Sequence, residues 1–201
     1  MDKPIEFHFD FSSPYSYIAS EQIEQLAARH GRSVTYKPVL LGAVFKVAGS
    51  APLTDSYGPK ARYSIHDFAR SARYAGVPYR YPSKFPIASV GAKRAVLWLQ
   101  RHRPDLATPF IHAVFRAYFV DDRDISDAAI VGEIAREVGI DADELATGIQ
   151  QPDIKEQLKT QVDHAIQAGV FGAPTIVVDG EVFWGNDRLP QIERWLASGP
   201  F

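Results

Sequence analysis

The chain has 201 residues, enough for one large domain or one domain with an insertion, and ordinary hydrophobic (46%) and charged (23%) fractions. A formal net charge of -2 and scattered basic residues exclude the electrostatic footprint of a nucleic-acid or anionic-lipid binder. The absence of cysteine removes disulfides, iron–sulfur clusters, thiolate zinc sites and cysteine nucleophiles together.

The first residues, Met-Asp-Lys-Pro, are charged where a signal peptide needs an apolar core, and no stretch approaches the ~20 apolar residues of a membrane span. A cytoplasmic protein is expected. Residues 4–11 alternate, with Ile5, Phe7, Phe9 and Phe11 on one face, which predicts a half-buried strand. Ser13 before Pro14 marks a helix start, and Tyr17, Ile18, Ile23 and Leu26 carry its apolar stripe. A second strand is expected at 34–39.

From 60 to 168 the periodic segments read as helices, at about 60–75, 88–102, 106–120, 126–138, 142–150 and 152–168. The proline-rich stretch 77–86 separates the first of these from the rest as an extended loop. After residue 172 strand chemistry returns: 173–179 and 181–184 flank Asp179-Gly180, a hairpin signal, and a last helix carries Leu189, Ile192, Trp195 and Leu196. The predicted order is βαβ, a helical block, then ββα. The fold class is α/β, a thioredoxin-like fold in which residues 1–40 and 169–201 form the core. Residues 41–168 form a large all-α insertion within one continuous unit.

Three motifs carry candidate chemistry. Ser13-Pro-Tyr-Ser16 places a hydroxyl at the first turn of a helix, beside unpaired N–H groups and the positive end of the helix dipole. In redox thioredoxin-type proteins a cysteine pair occupies this spacing, where the same field lowers a thiol's pKa. Serine does no redox chemistry, but it can donate a hydrogen bond to a sulfur anion supplied by a cofactor; taken alone it reads first as a helix cap, and only the second motif turns the reading. Ala173-Pro174-Thr175 opens a strand with a residue that cannot donate to the sheet ladder. It is either an ordinary edge proline or a proline facing the first helix turn, where the backbone of Ala173 can pair with a peptide-like ligand. In Trp184-Gly185-Asn186-Asp187, Asn186 or Asp187 can cap the last helix. Alternatively, the exposed N–H groups bind a carboxylate while Asp187 pairs with an ammonium, a combination suited to a γ-glutamyl group. The six histidines lack metal-ligand spacing, so no metal is expected.

These motifs, with Lys37-Pro-Val-Leu-Leu-Gly42, Phe45-Lys46 and Lys60-Ala-Arg-Tyr63, span nearly the whole chain. Together they resemble the 2-hydroxychromene-2-carboxylate isomerases and the related kappa-class glutathione transferases. The resemblance implies a homodimer with glutathione as cofactor and a small aromatic carboxylate as substrate. It implies that Ser13 meets the glutathione sulfur, that Ala173 and Pro174 present backbone to the tripeptide, and that Lys60 meets a carboxylate. Trp184, Gly185, Asn186 and Asp187 would hold the γ-glutamyl end, and Phe45, Lys46, Asp55 and Phe85 would line the substrate pocket. The implied reaction converts 2-hydroxychromene-2-carboxylate to trans-o-hydroxybenzylidenepyruvate through transient addition of the borrowed thiolate. The alternatives are conjugation of glutathione to electrophiles, or a non-catalytic thioredoxin-type binding module in which Ser13 only caps a helix.

Overall fold

A computed structural model describes residues 3–54 and 58–201. The alternating phenylalanines form β1 (Ile5–Phe9), shorter than the predicted 4–11 because Asp10 and Phe11 leave the ladder for the turn that starts the next helix. α1 (Pro14–Arg29) and β2 (Val34–Pro38) complete a βαβ unit, with β2 parallel to β1. β3 (Thr175–Val178) pairs antiparallel with β1, and β4 (Glu181–Trp184) pairs antiparallel with β3, in the order β2-β1-β3-β4. β3 is therefore an inner strand, and Pro174 is not an edge-strand proline. The β3–β4 turn has positive φ at Asp179 (54°) and Gly180 (97°), the mirror-image turn that Asp-Gly favours.

Between β2 and β3 run α2 (Leu41–Ala48), α3 (Pro59–Ala75), α4 (Val90–His102), α5 (Pro104–Phe119), α6 (Ala128–Glu137), α7 (Ala142–Gly148) and α8 (Pro152–Gln167). A 3-10 turn over Asn186–Arg188 leads into α9 (Leu189–Ser198). Asp127 and Asp141 cap α6 and α7 through their carboxylates. α2 is the element the periodicity did not predict. Its N-cap position, Leu40, offers no side-chain acceptor, and the Leu41 N–H is held by the Asp10 carboxylate at 2.9 Å.

One core joins the sheet to the helical block. Phe7, Phe9 and Phe11 are fully buried, and Phe11 meets Phe115 of α5 at 4.9 Å between ring centroids. Tyr17 of α1 stacks on Phe119 of α5 at 5.3 Å, and Phe183 of β4 meets Trp195 of α9 at 5.7 Å. α1, α5 and α9 thus cover one face of the sheet. α8 lies over the other, facing Glu6, His8 and Lys37. This packing leaves the N-terminus of α1 at the junction of the sheet, the 171–174 segment and the helical block.

Candidate active site

Ser13 is both a cap and a junction. Its backbone is extended (φ -96°, ψ 112°), Pro14 follows at the first helical position, and the hydroxyl accepts the Ser16 N–H at 3.1 Å. The same hydroxyl donates to the Ala173 carbonyl at 3.0 Å, across 160 residues of chain. Ser13 is 5% exposed. The Tyr17 N–H returns to the Ser13 carbonyl, so the Tyr15 N–H is left as a first-turn donor without a partner among the described residues. Ser16, in the other redox position of the motif, is fully buried, which keeps its hydroxyl away from any incoming ligand.

The Ala173–Pro174 peptide is cis, and the Ala173 N–H has no partner among the described residues. That loop is held from two sides. The Gly185 N–H donates to the Pro174 carbonyl at 3.0 Å, and the Trp184 indole lies against Phe171 at 4.9 Å. Trp184 also presses on Gly172: a Cβ there would stand 2.5 Å from the indole nitrogen, which excludes any larger residue without movement. Two expectations change here. The Gly185 amide is already used, and Trp184 braces the 171–174 segment. Asn186 and Asp187 do not cap α9 through their side chains; the 3-10 turn takes that place, with Arg188 at the N-cap. The Asn186 and Asp187 N–H groups lack partners among the described residues, and Asp187 is exposed and paired with Arg188 at 2.7 Å.

The helical block closes the other side. The Ile87 N–H donates to the Ser12 hydroxyl at 3.1 Å, which brings the 85–87 loop beside Ser13. Phe85 then continues an aromatic row, Tyr15–Phe68 at 5.1 Å and Phe68–Phe85 at 6.1 Å, ending at Tyr81. Phe45 and Lys46 lie on α2, whose buried Val44 packs near Ala173, with Phe45 half-buried and Lys46 exposed. Lys60 is exposed on the first turn of α3. Asp55 lies outside the described residues.

Sequence reasoning missed two pairs of side chains at this junction. The Tyr15 hydroxyl donates to Asp67 at 2.5 Å, and burial, reinforced by that carboxylate, pushes the Tyr15 pKa far up. For Asp67 burial acts upward, but hydrogen bonds from Tyr15 and Arg70 outweigh it and hold the carboxyl below its usual range. Lys93 of α4 reaches Asp10, whose carbonyl accepts the Ser13 N–H, at 2.5 Å, both residues buried. Lys93 left a signal that was available: a charge inside the otherwise apolar series Ala92, Ala95, Val96 and Leu99.

This arrangement can present a hydroxyl, a helix end and free backbone donors to a small anionic, peptide-like ligand, with an aromatic row alongside. Comparison with known proteins gives the same frame. The DSBA-like thioredoxin domain matches residues 4–197. A 2-hydroxychromene-2-carboxylate isomerase of Sphingobium xenophagum is 33% identical, over 98% of this chain and all of that protein. Glutathione S-transferase kappa 2 of Caenorhabditis elegans is 28% identical, over 99% of this chain and 93% of its own length. A solved 2-hydroxychromene-2-carboxylate isomerase superposes with a TM-score of 0.87 at 25% identity, covering 97% of this chain and 95% of that one. A thioredoxin-like frame, a serine in the redox position and full-length kinship lead to one conclusion: the chain is an isomerase-type enzyme, a member of the 2-hydroxychromene-2-carboxylate isomerase family built on a DSBA-like thioredoxin domain.

Proposed function

We propose that this enzyme is a glutathione-dependent isomerase that converts 2-hydroxychromene-2-carboxylate, or a similar small aromatic carboxylate, to the trans-o-hydroxybenzylidenepyruvate form. The observation that carries the reading is the Ser13 hydroxyl, held between the N-terminus of α1 and the carbonyl before the cis proline in a chain without cysteine. Any nucleophilic thiol must therefore come from outside.

The donor set fits a tripeptide thiol. Ala173 has an unpaired N–H of the kind that pairs with an extended peptide, and the Asn186 and Asp187 N–H groups suit a carboxylate, with the Asp187 side chain for an ammonium. Lys60, exposed at the start of α3, suits the remaining carboxylate. When bound, glutathione supplies a nucleophilic thiol that makes transient covalent catalysis available without change of oxidation state. Ser13 turns its proton from the Ala173 carbonyl toward the sulfur while still accepting the Ser16 N–H, so the helix cap survives the switch. The helix dipole and the Tyr15 N–H favour negative charge at that point. Trp184 and Gly185 keep the 171–174 loop in place, whereas Phe85 offers an aromatic wall, and Phe45 and Lys46 stand on the adjoining α2. The same reading makes the enzyme a homodimer, which light scattering tests, and a cytoplasmic protein, which cell fractionation tests; no helix among the described residues is long and apolar enough to cross a membrane.

Calorimetric titration should show glutathione binding at millimolar concentration or below, and its absence refutes the reading. A second reading, conjugation of glutathione to electrophiles, is favoured by the kappa-class relative. Turnover of the chromene carboxylate followed by absorbance, set against chlorodinitrobenzene conjugation, separates the two.

A further inference from the structure

Asp10 and Lys93 form a buried ion pair to which the reaction above gives no task. Asp10 follows β1 and Lys93 stands in the first turns of α4; each is 3% exposed. The pair sits where three segments meet. One carboxylate oxygen of Asp10 accepts the Ser12 N–H at 2.8 Å, and the other accepts the Leu41 N–H at 2.9 Å and the Lys93 ammonium at 2.5 Å. The Asp10 carbonyl accepts the Ser13 N–H at 2.9 Å. One residue thus ties the Ser12–Ser13 turn to the start of α2, and Lys93 links that knot to the helical block. An apolar pair of matching shape often serves stability as well as a buried ion pair. The charges are thus costly, and they belong to the turn that carries the residue proposed to face the thiol, whose N–H the Asp10 carbonyl accepts.

We propose that Asp10 and Lys93 are positioning residues of this site, whose joint hydrogen bonding holds Ser13 in place and whose charge balance keeps a thiol bound there easily ionised. The proposal rests on the glutathione reading. Without Lys93, the Asp10 carboxylate is left unbalanced two peptide bonds from Ser12 and three from Ser13, in a region shielded from water, where it opposes a thiolate. Without Asp10, the ammonium is left unbalanced and favours one. With both removed, the field returns to neutral, but the single acceptor oxygen of an asparagine can hold only one of the Ser12 and Leu41 N–H groups that the Asp10 carboxylate holds together. Charge and positioning therefore separate in the variants.

The experiment uses the full chain with glutathione, and follows the ultraviolet absorbance of the bound thiolate against pH together with kcat and KM. In Lys93→Met the titration midpoint should rise by about one pH unit, with about a tenfold loss of turnover at neutral pH. In Asp10→Asn the midpoint should move down. In the double variant Asp10→Asn/Lys93→Met it should return to within a few tenths of a unit of wild type, while kcat stays about tenfold low and KM for glutathione changes little. If both single variants fail to fold, the double variant decides: wild-type kcat there overturns the proposal. A folded single variant that binds glutathione with an unchanged midpoint overturns it as well. Failure of the wild-type protein to bind glutathione overturns the underlying reading and this proposal with it, so the two failures are distinguishable.

Discussion

Replacing Ser13 by Ala removes an atom that serves two bonds at once, and the stability loss should show both. Loss of the acceptor for the Ser16 N–H costs what an N-cap costs, about 1 kcal/mol. Loss of the donor leaves the Ala173 carbonyl without its hydrogen, worth about 1 kcal/mol more, because at 5% exposure water does not readily replace the hydroxyl. The sum, about 2 kcal/mol, corresponds to a melting temperature about 4–8 °C lower for a chain of this size. Ser13→Gly isolates the terms: glycine at an N-cap costs only a few tenths of a kcal/mol, so about half of the loss should return. Urea denaturation and calorimetry of the three proteins give the stabilities. Turnover measured well below the transition should fall about 100-fold in both variants, since each lacks the donor to the thiolate. An alanine variant within about 0.5 kcal/mol of wild type would refute the two-bond account. Turnover falling only in proportion to the folded fraction would reduce Ser13 to a helix cap.

Three further outcomes follow from other parts of the fold. Burial acts to lower the pKa of His112, but hydrogen bonds with Glu21 and Glu24 outweigh it and lift the pKa to about 9. A raised histidine pKa stabilises the fold fully below its unfolded value near ~6.5 and loses that contribution as pH climbs through the folded value. Unfolding free energy should therefore drop by about 2 kcal/mol between pH 6.5 and 9, after allowance for the partial exposure of Glu24, and His112→Gln should flatten the slope. Gly148→Ala would place a methyl 2.3 Å from the indole nitrogen of the buried Trp98; overpacking should cost about 1–3 kcal/mol and change the tryptophan fluorescence, and an unchanged melting curve would contradict that close approach. Tyr15→Phe removes the hydrogen bond to Asp67 but keeps the ring against Phe68, so stability should fall by about 1 kcal/mol with glutathione affinity preserved. A large loss of affinity would instead place the Tyr15 hydroxyl in contact with the ligand.

What the sequence by itself determined lies within a few residues of its cause. The alternation of Ile5, Phe7 and Phe9 specifies β1, Ser13-Pro14 starts α1, Asp127 and Asp141 cap their own helices, and Asp179-Gly180 turns the hairpin. Each of these is a contest between short-range backbone and side-chain hydrogen bonds or faces, so spacing alone settles it. The ends of β1 and the start of α2 escaped that logic, because the group that satisfies the Leu41 N–H is Asp10, 31 positions earlier. The same holds for the site. Spacing marks Ser13 as a helix cap, but its second bond runs to Ala173, 160 residues away; Tyr15 meets Asp67 across 52 and Lys93 meets Asp10 across 83. Only the packing of the helical block against the sheet decided which polar groups share a desolvated junction, because the cost of burying an unpaired polar group selects partners by proximity in space and leaves no periodicity along the chain.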